Sequence, residues 1–327
     1  MPTDFKIIST LSPLKLSREY LQFCSDNNQS FFRLNGSHIS DIELPQLIDK
    51  IRIYATNFPV TLILDLQGKK VRISNLVTPI NLKFNQILEI KSSHVSEKGD
   101  FTIPSSSFFK IVENGDLILL QDAAIQLEII AQTDEIIKCR VIQGGKLRSG
   151  AGLSIKGRNL LNVNYLENLK SQIVIAKKYE VDYLALSYTT DSKEIENLRE
   201  FCNSISYNPR IIAKIEHPKA FDHLDQILEK ADENWYCRGD MGNLISPRQL
   251  SDWQEKIITR CQTLNRPIII AGQVFQHLTE HLLPTRSEVI HFYHLMDRGI
   301  NGIVLSDETV LGINPINSMK QVVSLIS

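Results

Sequence analysis

The chain has 327 residues, of which 43% are hydrophobic and 22% charged, enough for one large domain or two smaller ones. A formal net charge of −1 excludes a general electrostatic affinity for nucleic acid or an anionic membrane. No charged n-region leads into an apolar h-region and no apolar run is long enough to span a bilayer, so a soluble, cytoplasmic protein is expected.

In chain order, short apolar runs predict strands at 5–10 (FKIIST), 30–34 (SFFRL) and 60–65 (VTLILD), with a helix at 43–57 before the third. Residues 70–157 change character. Runs such as VRISNLV, FTIPSSSFFKIV, DLILLQD and IQLEIIAQ are separated by turn residues and show no helical period. Asn114-Gly115 between two of them is a hairpin signal. An inserted all-β domain over 69–157 is expected, leaving near Gly157 through a helix at about 165–180. Strands then alternate with amphipathic helices: strand 181–187, helix 193–205, strand 210–214, helix 220–230, strand 234–237, helix 248–264, strand 267–271, helix 287–298, strand 302–305, helix 315–326. Eight parallel strands from 1–68 and 158–327 are the number that closes a (β/α)8 TIM barrel, an α/β fold; an open doubly wound sheet is the competing architecture.

The five cysteines are odd in number and form no CxxC pair, so reduced thiols are expected. His277 with His281, and His291 with His294, have helical spacing that could place each pair on one face. Without a HExxH motif they read as surface or packing residues rather than a zinc site.

In such a barrel, function sits at the C-terminal ends of the strands. The residues there are Arg33, Asn35 and Ser37, then Asp65, Ser187, Lys214 and Glu216, Arg238 and Asp240, Gly272, and Ser306 with Glu308. They form either a solvated rim of mutually paired charges or a ligand site. Glu216 and Asp240 suit a hard divalent ion, Mg2+ or Mn2+, that keeps several waters. Lys214 and Arg33 suit a phosphoryl group or a developing oxyanion. The glycine-rich GGKLRSGAG (144–152) lacks the Lys-Ser/Thr step of a P-loop and reads as turns.

The order and spacing of KIISTLSP (6–13), RLNGSH (33–38), LDLQGKKVR (64–72), GGKLRS (144–149), IKGRNL (155–160), IIAKIEH (211–217), RGDMG (238–242), PTRSEV (284–289) and LSDETVLGINP (305–315) resemble the pyruvate kinase family along nearly the whole chain. The resemblance implies a barrel with a β-barrel lid after the third strand, and a Mg2+-dependent transfer of phosphoryl from phosphoenolpyruvate to ADP. It implies Glu216 and Asp240 as metal ligands and Lys214 and Arg33 as catalytic groups, Arg33 also holding phosphate. Gly239 and Asp240 would meet the substrate carboxylate, with Ser187 and Gly272 beside the substrate, and Asn35, His38, Arg72 and Lys156 would meet ADP or ATP. The chain departs from the family's pattern in three ways. The family's C-terminal domain is expected to be missing, and with it the usual effector response. Gly272 stands where a threonine is usual. Lys70 stands where a glutamate is usual, in the region of Asn35, Ser37 and Asp65 where the family holds K+; with Leu66, Gln67 and Ile73 this resembles the potassium-independent branch, so K+ is not expected to be required. Two other readings remain open: a non-kinase enzyme that stabilises a pyruvate enolate during decarboxylation or aldol cleavage, and a non-catalytic ligand-binding homologue. A homodimer through barrel helices is also expected.

Overall fold

The computed structural model describes residues 5–326 apart from 57, 70, 75, 94, 98, 122 and 157–164, and gives no account of the side chains at 106, 107, 165, 167 and 168. Lys70 and the expected exit at Gly157 therefore lie outside the described residues. The chain divides into two compact units: Met1–Gly68 with Leu166–Met241 and Ser246–Ser327, and Lys69–Tyr165 with Gly242–Ile245.

The first unit is a closed barrel. Its strands, numbered here around the barrel in chain order, are β1 (Lys6–Leu11), β2 (Phe31–Asn35), β3 (Thr61–Asp65), β4 (Tyr183–Leu186), β5 (Arg210–Ile215), β6 (Glu233–Cys237), β7 (Ile268–Ala271) and β8 (Gly302–Leu305). Every neighbouring pair is parallel, and β1 pairs with both β2 and β8, which closes the ring. These strands are almost continuously buried because helices cover one face and barrel filling the other. The filling comes from alternate residues: Ile8, Ile63, Ala185, Ile212, Trp235, Ile269 and Val304 pack as one cluster.

The helices follow their apolar periods, with local differences. The second spans Glu43–Tyr54 rather than reaching 57. The segment 220–230 splits into a 3-10 turn, Pro218–Asp222, and a helix, Leu224–Lys230. A helix not foreseen from the sequence, Arg18–Asp26, is capped by the Ser17 side chain accepting from the Tyr20 amide and buries Tyr20, Leu21 and Cys24. No described helix is long and apolar enough to cross a membrane.

The second unit has its own core, including Ile90, Ile103, Phe108, Ile118, Leu127 and Val141. A six-stranded sheet runs in the order Leu153–Ile155, Leu117–Leu120, Ile125–Gln132, Ile136–Gln143, Ile87–Ser92, Thr102–Ile103. A two-stranded ribbon pairs Ile80–Leu82 with Gly145–Leu147. Clean alternation of burial along Ile125–Gln132 and Ile136–Gln143 marks a sheet with one dry face. Three readings of this stretch need correction. Ser106–Ile111 is a helix, and the Glu113–Asp116 turn with Gly115 at φ +91° joins it to a strand rather than closing a hairpin. Among the described residues of VRISNLV, the strand pairing is an isolated bridge, Arg72 to Gly152.

Candidate active site

Side chains alternate along a strand, so a residue two positions beyond one that fills the barrel also points inward. Thr10 follows Ile8, Asp65 follows Ile63, Ser187 follows Ala185, and Ser306 follows Val304. Arg33 follows Phe31, which packs against the same cluster. On β5 the rule applies twice: Ile212 fills the barrel, Lys214 lies above it, and Glu216 above that. The strand pattern alone therefore gathers these groups at the C-terminal mouth.

Asp65 is the hub. It is 1% exposed. Arg33 Nε donates to its Oδ2 at 2.7 Å, with Nη2 2.6 Å from the same oxygen. Lys214 Nζ and Ser187 Oγ donate to its Oδ1, each at 3.0 Å. Lys214 Nζ also donates to Ser187 Oγ at 2.9 Å and lies 3.4 Å from Glu216 Oε2. Arg33 Nη1 reaches Thr10 Oγ1 at 2.9 Å. Burial alone would raise the Asp65 pKa, but Lys214 and Arg33 outweigh it and hold the carboxyl below its usual range. For Lys214, burial opposes the charge, yet Asp65 and Glu216 raise its pKa, so the ammonium persists well above neutral pH.

Glu216 behaves differently. Burial pushes its pKa up to about 7, and the nearby Asp240 and Asp65 push in the same direction against Lys214. Its Oε1 accepts from the Tyr188 amide at 2.8 Å. Tyr188 holds a left-handed φ of +56°, uncommon for an aromatic residue, and so aims its N–H at the carboxylate. A buried carboxylate whose ionisation its acidic neighbours oppose fits a hard divalent cation, which would neutralise it and complete its shell with water. Among the described residues, no three or more His, Cys, Asp or Glu side chains gather as a metal site.

The other predicted residues fall into three groups. Asn35 and Ser37 make a local turn, the Ser37 amide donating to Asn35 Oδ1 at 3.1 Å, and the His38 amide donates to the Asn35 carbonyl. Between them, Gly36 donates to the Asp65 carbonyl at 2.8 Å, and a Cβ there would meet that oxygen at 2.9 Å, so a side chain would push β3 away. Arg72 and Lys156 belong to the second unit, where Arg72 Nη1 donates to the Gly150 carbonyl and Lys156 is exposed. Arg238 is not in the Lys214 cluster. Its Nε donates to the Gly272 carbonyl and its Nη2 to the Gln273 carbonyl, each at 2.9 Å, so it braces the loop after β7. Gly272 has φ +88°, and a Cβ would lie 3.0 Å from the Gly239 nitrogen. Gly239 and Asp240 lie on the single turn Arg238–Gly242 that follows β6. Glu308 is buried, accepting from the amides of Ser306 at 2.7 Å and Phe275 at 3.3 Å, which ties the loops after β7 and β8 together.

Of the histidines, the His277 and His281 rings stack with centroids 3.7 Å apart, His294 lies 3.7 Å from Glu255, and His291 Nε2 lies 2.7 Å from Arg238 Nη1. Sequence reasoning missed Thr10 and Tyr188. The alternation along β1 could have found Thr10; nothing in the sequence marks the backbone of Tyr188.

The model of the pyruvate kinase barrel domain matches residues 3–319. Among curated relatives, pyruvate kinase isozyme G, chloroplastic, of Nicotiana tabacum is 28% identical over 98% of this chain and 58% of its own length. The pyruvate kinase of Borreliella burgdorferi is 29% identical over 98% of this chain and 67% of its own length. The chain thus spans about three fifths of the length of such relatives. Among solved structures, pyruvate kinase from Pyrobaculum aerophilum superposes with a TM-score of 0.78 over 98% of this chain and 72% of that one, at 24% identity, a likeness of fold. A family match over nearly the whole length, joined to the closed barrel and its mouth of alternating polar side chains, leads to one conclusion: the chain belongs to the pyruvate kinase family.

Proposed function

We propose that the chain transfers a phosphoryl group from phosphoenolpyruvate to ADP, giving pyruvate and ATP, and needs Mg2+ or Mn2+ to do so. The observation that carries this reading is the Lys214 ammonium, fixed by Asp65 and Ser187 at the barrel mouth with the Arg33 guanidinium on the same carboxylate. The Lys214 ammonium persists at neutral pH, so it acts as fixed positive charge rather than as a proton acceptor. Arg33 would bind the phosphate. Lys214 would meet the charge that builds on the phosphoryl group and on the enolate oxygen as the P–O bond breaks. The backbone of Gly239 and Asp240 would orient the substrate carboxylate, and Asn35, His38, Arg72 and Lys156 would meet the nucleotide. Glu216 and Asp240 would hold the divalent ion, which supplies charge neutralisation to the phosphoryl and enolate oxygens. Self-association through barrel helices is proposed to give a dimer, which the molar mass from static light scattering would test.

One observation favours a second reading. Gly272 brings no hydroxyl, and its φ of +88° disfavours any residue that would carry one. The same ammonium and carboxylates would then stabilise a pyruvate enolate released from a larger 2-oxo acid by decarboxylation or aldol cleavage. Pyruvate formation by purified protein separates the two. Release that requires both phosphoenolpyruvate and ADP supports the kinase; release from a carboxylated 2-oxo acid without nucleotide supports the second reading; binding without turnover leaves a ligand-binding homologue.

A further inference from the structure

We infer that His291 is a positioning residue that holds the Arg238 guanidinium in place, so that the loop after β7 stays locked against the turn after β6. The four contacts of Arg238 carry the inference. Besides the two carbonyls of Gly272 and Gln273, its Nη1 lies 2.7 Å from His291 Nε2 and 3.4 Å from Gln254 Oε1. A guanidinium can only donate, so Nε2 must accept, which requires a neutral imidazole carrying its proton on Nδ1. None of these four partners is a carboxylate. The half-buried guanidinium is therefore hydrogen-bonded by oriented dipoles, with the charge of Glu308 as a further, less directional attraction, and its geometry depends on each of the four.

What the guanidinium locks is a close approach of two loops. Gly272 sits in the left-handed region with the Gly239 nitrogen 3.0 Å from where its Cβ would be, a conformation and a closeness that favour glycine. Gly239 and Asp240 are the residues proposed to meet the substrate carboxylate, and to that extent the kinetic part of the inference rests on the phosphoenolpyruvate reading. The His291 ring faces Arg238 from the turn after β6, Glu255 from the helix Pro247–Thr263 and His294 from its own helix, Arg286–Asp297. Burial, then Arg238 and His294, lower its pKa, with Glu255 opposing. The imidazole is thus neutral and accepting at neutral pH. Protonation removes the acceptor and sets a second cation against the guanidinium, which slackens the brace.

The test uses the full chain, with His291→Ala and His291→Gln. Glutamine retains a carbonyl that can accept from Nη1 but does not titrate. Two readouts are taken. The first is hydrogen exchange of segments 238–242 and 271–275 in the free protein, which needs no substrate. Losing the acceptor should speed exchange in both segments about tenfold in His291→Ala and much less in His291→Gln. The second is the KM for phosphoenolpyruvate against pH. It should rise about tenfold in His291→Ala while kcat changes less than about twofold, the pattern of lost uniform binding. In wild type KM should also climb as the pH falls below the ordinary imidazole range, and in His291→Gln that acid limb should be flat. Unchanged exchange in His291→Ala, a His291→Gln no better than alanine, or an acid limb that survives in His291→Gln each overturns the inference. The predicted exchange pattern in a protein with no phosphoenolpyruvate turnover upholds the brace and overturns the kinase reading, so the two fail separately.

Discussion

Both ends of the barrel set a lysine against a buried carboxylate, and the contrast between them separates structure from chemistry. At the N-terminal end, Lys6 donates to Glu233, whose other oxygen accepts from Trp235 Nε1 at 2.8 Å. The rings of Phe31 and Tyr183 flank the ammonium at 4.8 and 5.5 Å. One cation meets one anion, and both carboxylate oxygens are used. At the C-terminal end, two cations, Arg33 and Lys214, face two buried acids, Asp65 and Glu216, with Asp240 close enough to raise the pKa of Glu216. That end carries surplus negative charge and a carboxylate poised near neutrality, the imbalance a ligand or ion can relieve. Concavity does not make the distinction. A cleft of about 700 Å3 lies at the N-terminal end, lined by Phe31, Thr61, Asp182, Tyr183, Tyr207 and Arg210 among others.

If the contrast holds, breaking each pair has a different consequence. Lys6→Met should give the largest loss of stability, about 3 kcal/mol, because Glu233 is left buried with only the indole N–H. Activity per folded molecule should be unchanged, since the change lies at the end of the strands away from the proposed chemistry. Urea unfolding beside a phosphoenolpyruvate assay checks both halves, and a kcat that falls with stability would erase the distinction. Lys214→Met should do the reverse. Asp65 keeps Arg33 and Ser187, so the stability loss should be smaller than for Lys6→Met. The kcat should drop by roughly 10²–10³, about 2.7–4 kcal/mol of transition-state stabilisation, with little change in KM. A change confined to KM would make Lys214 a binding group.

The contrast was partly legible before any coordinates. Strand runs and the alternation of inward residues place Arg33, Asp65, Ser187, Lys214 and Glu216 on one mouth, because a period of two is fixed by covalent geometry. Less was legible where the chain leaves regular structure. Arg238 has the same sequence setting as Lys214, at the end of an apolar run, yet it turns to backbone carbonyls of the next loop, which no side-chain pattern encodes. Ser106–Ile111 packs Phe108 and Phe109 into the second unit's core over six residues, too few to display a helical period. The helix Arg18–Asp26 carried a signal that was overlooked: Ser17 as N-cap, with Tyr20, Leu21 and Cys24 at helical spacing.

A smaller effect is expected at the surplus charge itself. Glu216→Gln keeps the volume and an oxygen for the Tyr188 amide but removes one ionisable ligand. Mn2+ affinity should fall at least about tenfold. Without divalent ion the variant should unfold at the same temperature as wild type or slightly higher, because it no longer sets a buried carboxylate against Asp240 and Asp65. Calorimetric Mn2+ titration and thermal melts in chelator measure the two effects. Unchanged Mn2+ affinity would remove Glu216 from the metal assignment, and a marked drop in melting temperature would show that its charge is structural, like that of Glu233.

The smallest expected effect is a null one, for potassium. A monovalent ion in this region would need oxygen ligands from Asp65, Asn35 and Ser37. Here both Asp65 oxygens already accept from Arg33, Lys214 and Ser187, and Asn35 Oδ1 accepts from the Ser37 amide. Two fixed cations already neutralise the carboxylate, and an ammonium from Lys70 is proposed to replace the need for a captured monovalent ion. Activity should therefore be equal in K+ and in tetramethylammonium at matched ionic strength. Lys70→Glu puts back the acid of the family's usual pattern. It should lower activity in tetramethylammonium, and added K+ should recover part of the loss. An enzyme inert until K+ is supplied would show that Arg33 and Lys214 do not fill the role of the ion, and a Lys70→Glu variant indifferent to K+ would show that Lys70 stands outside it.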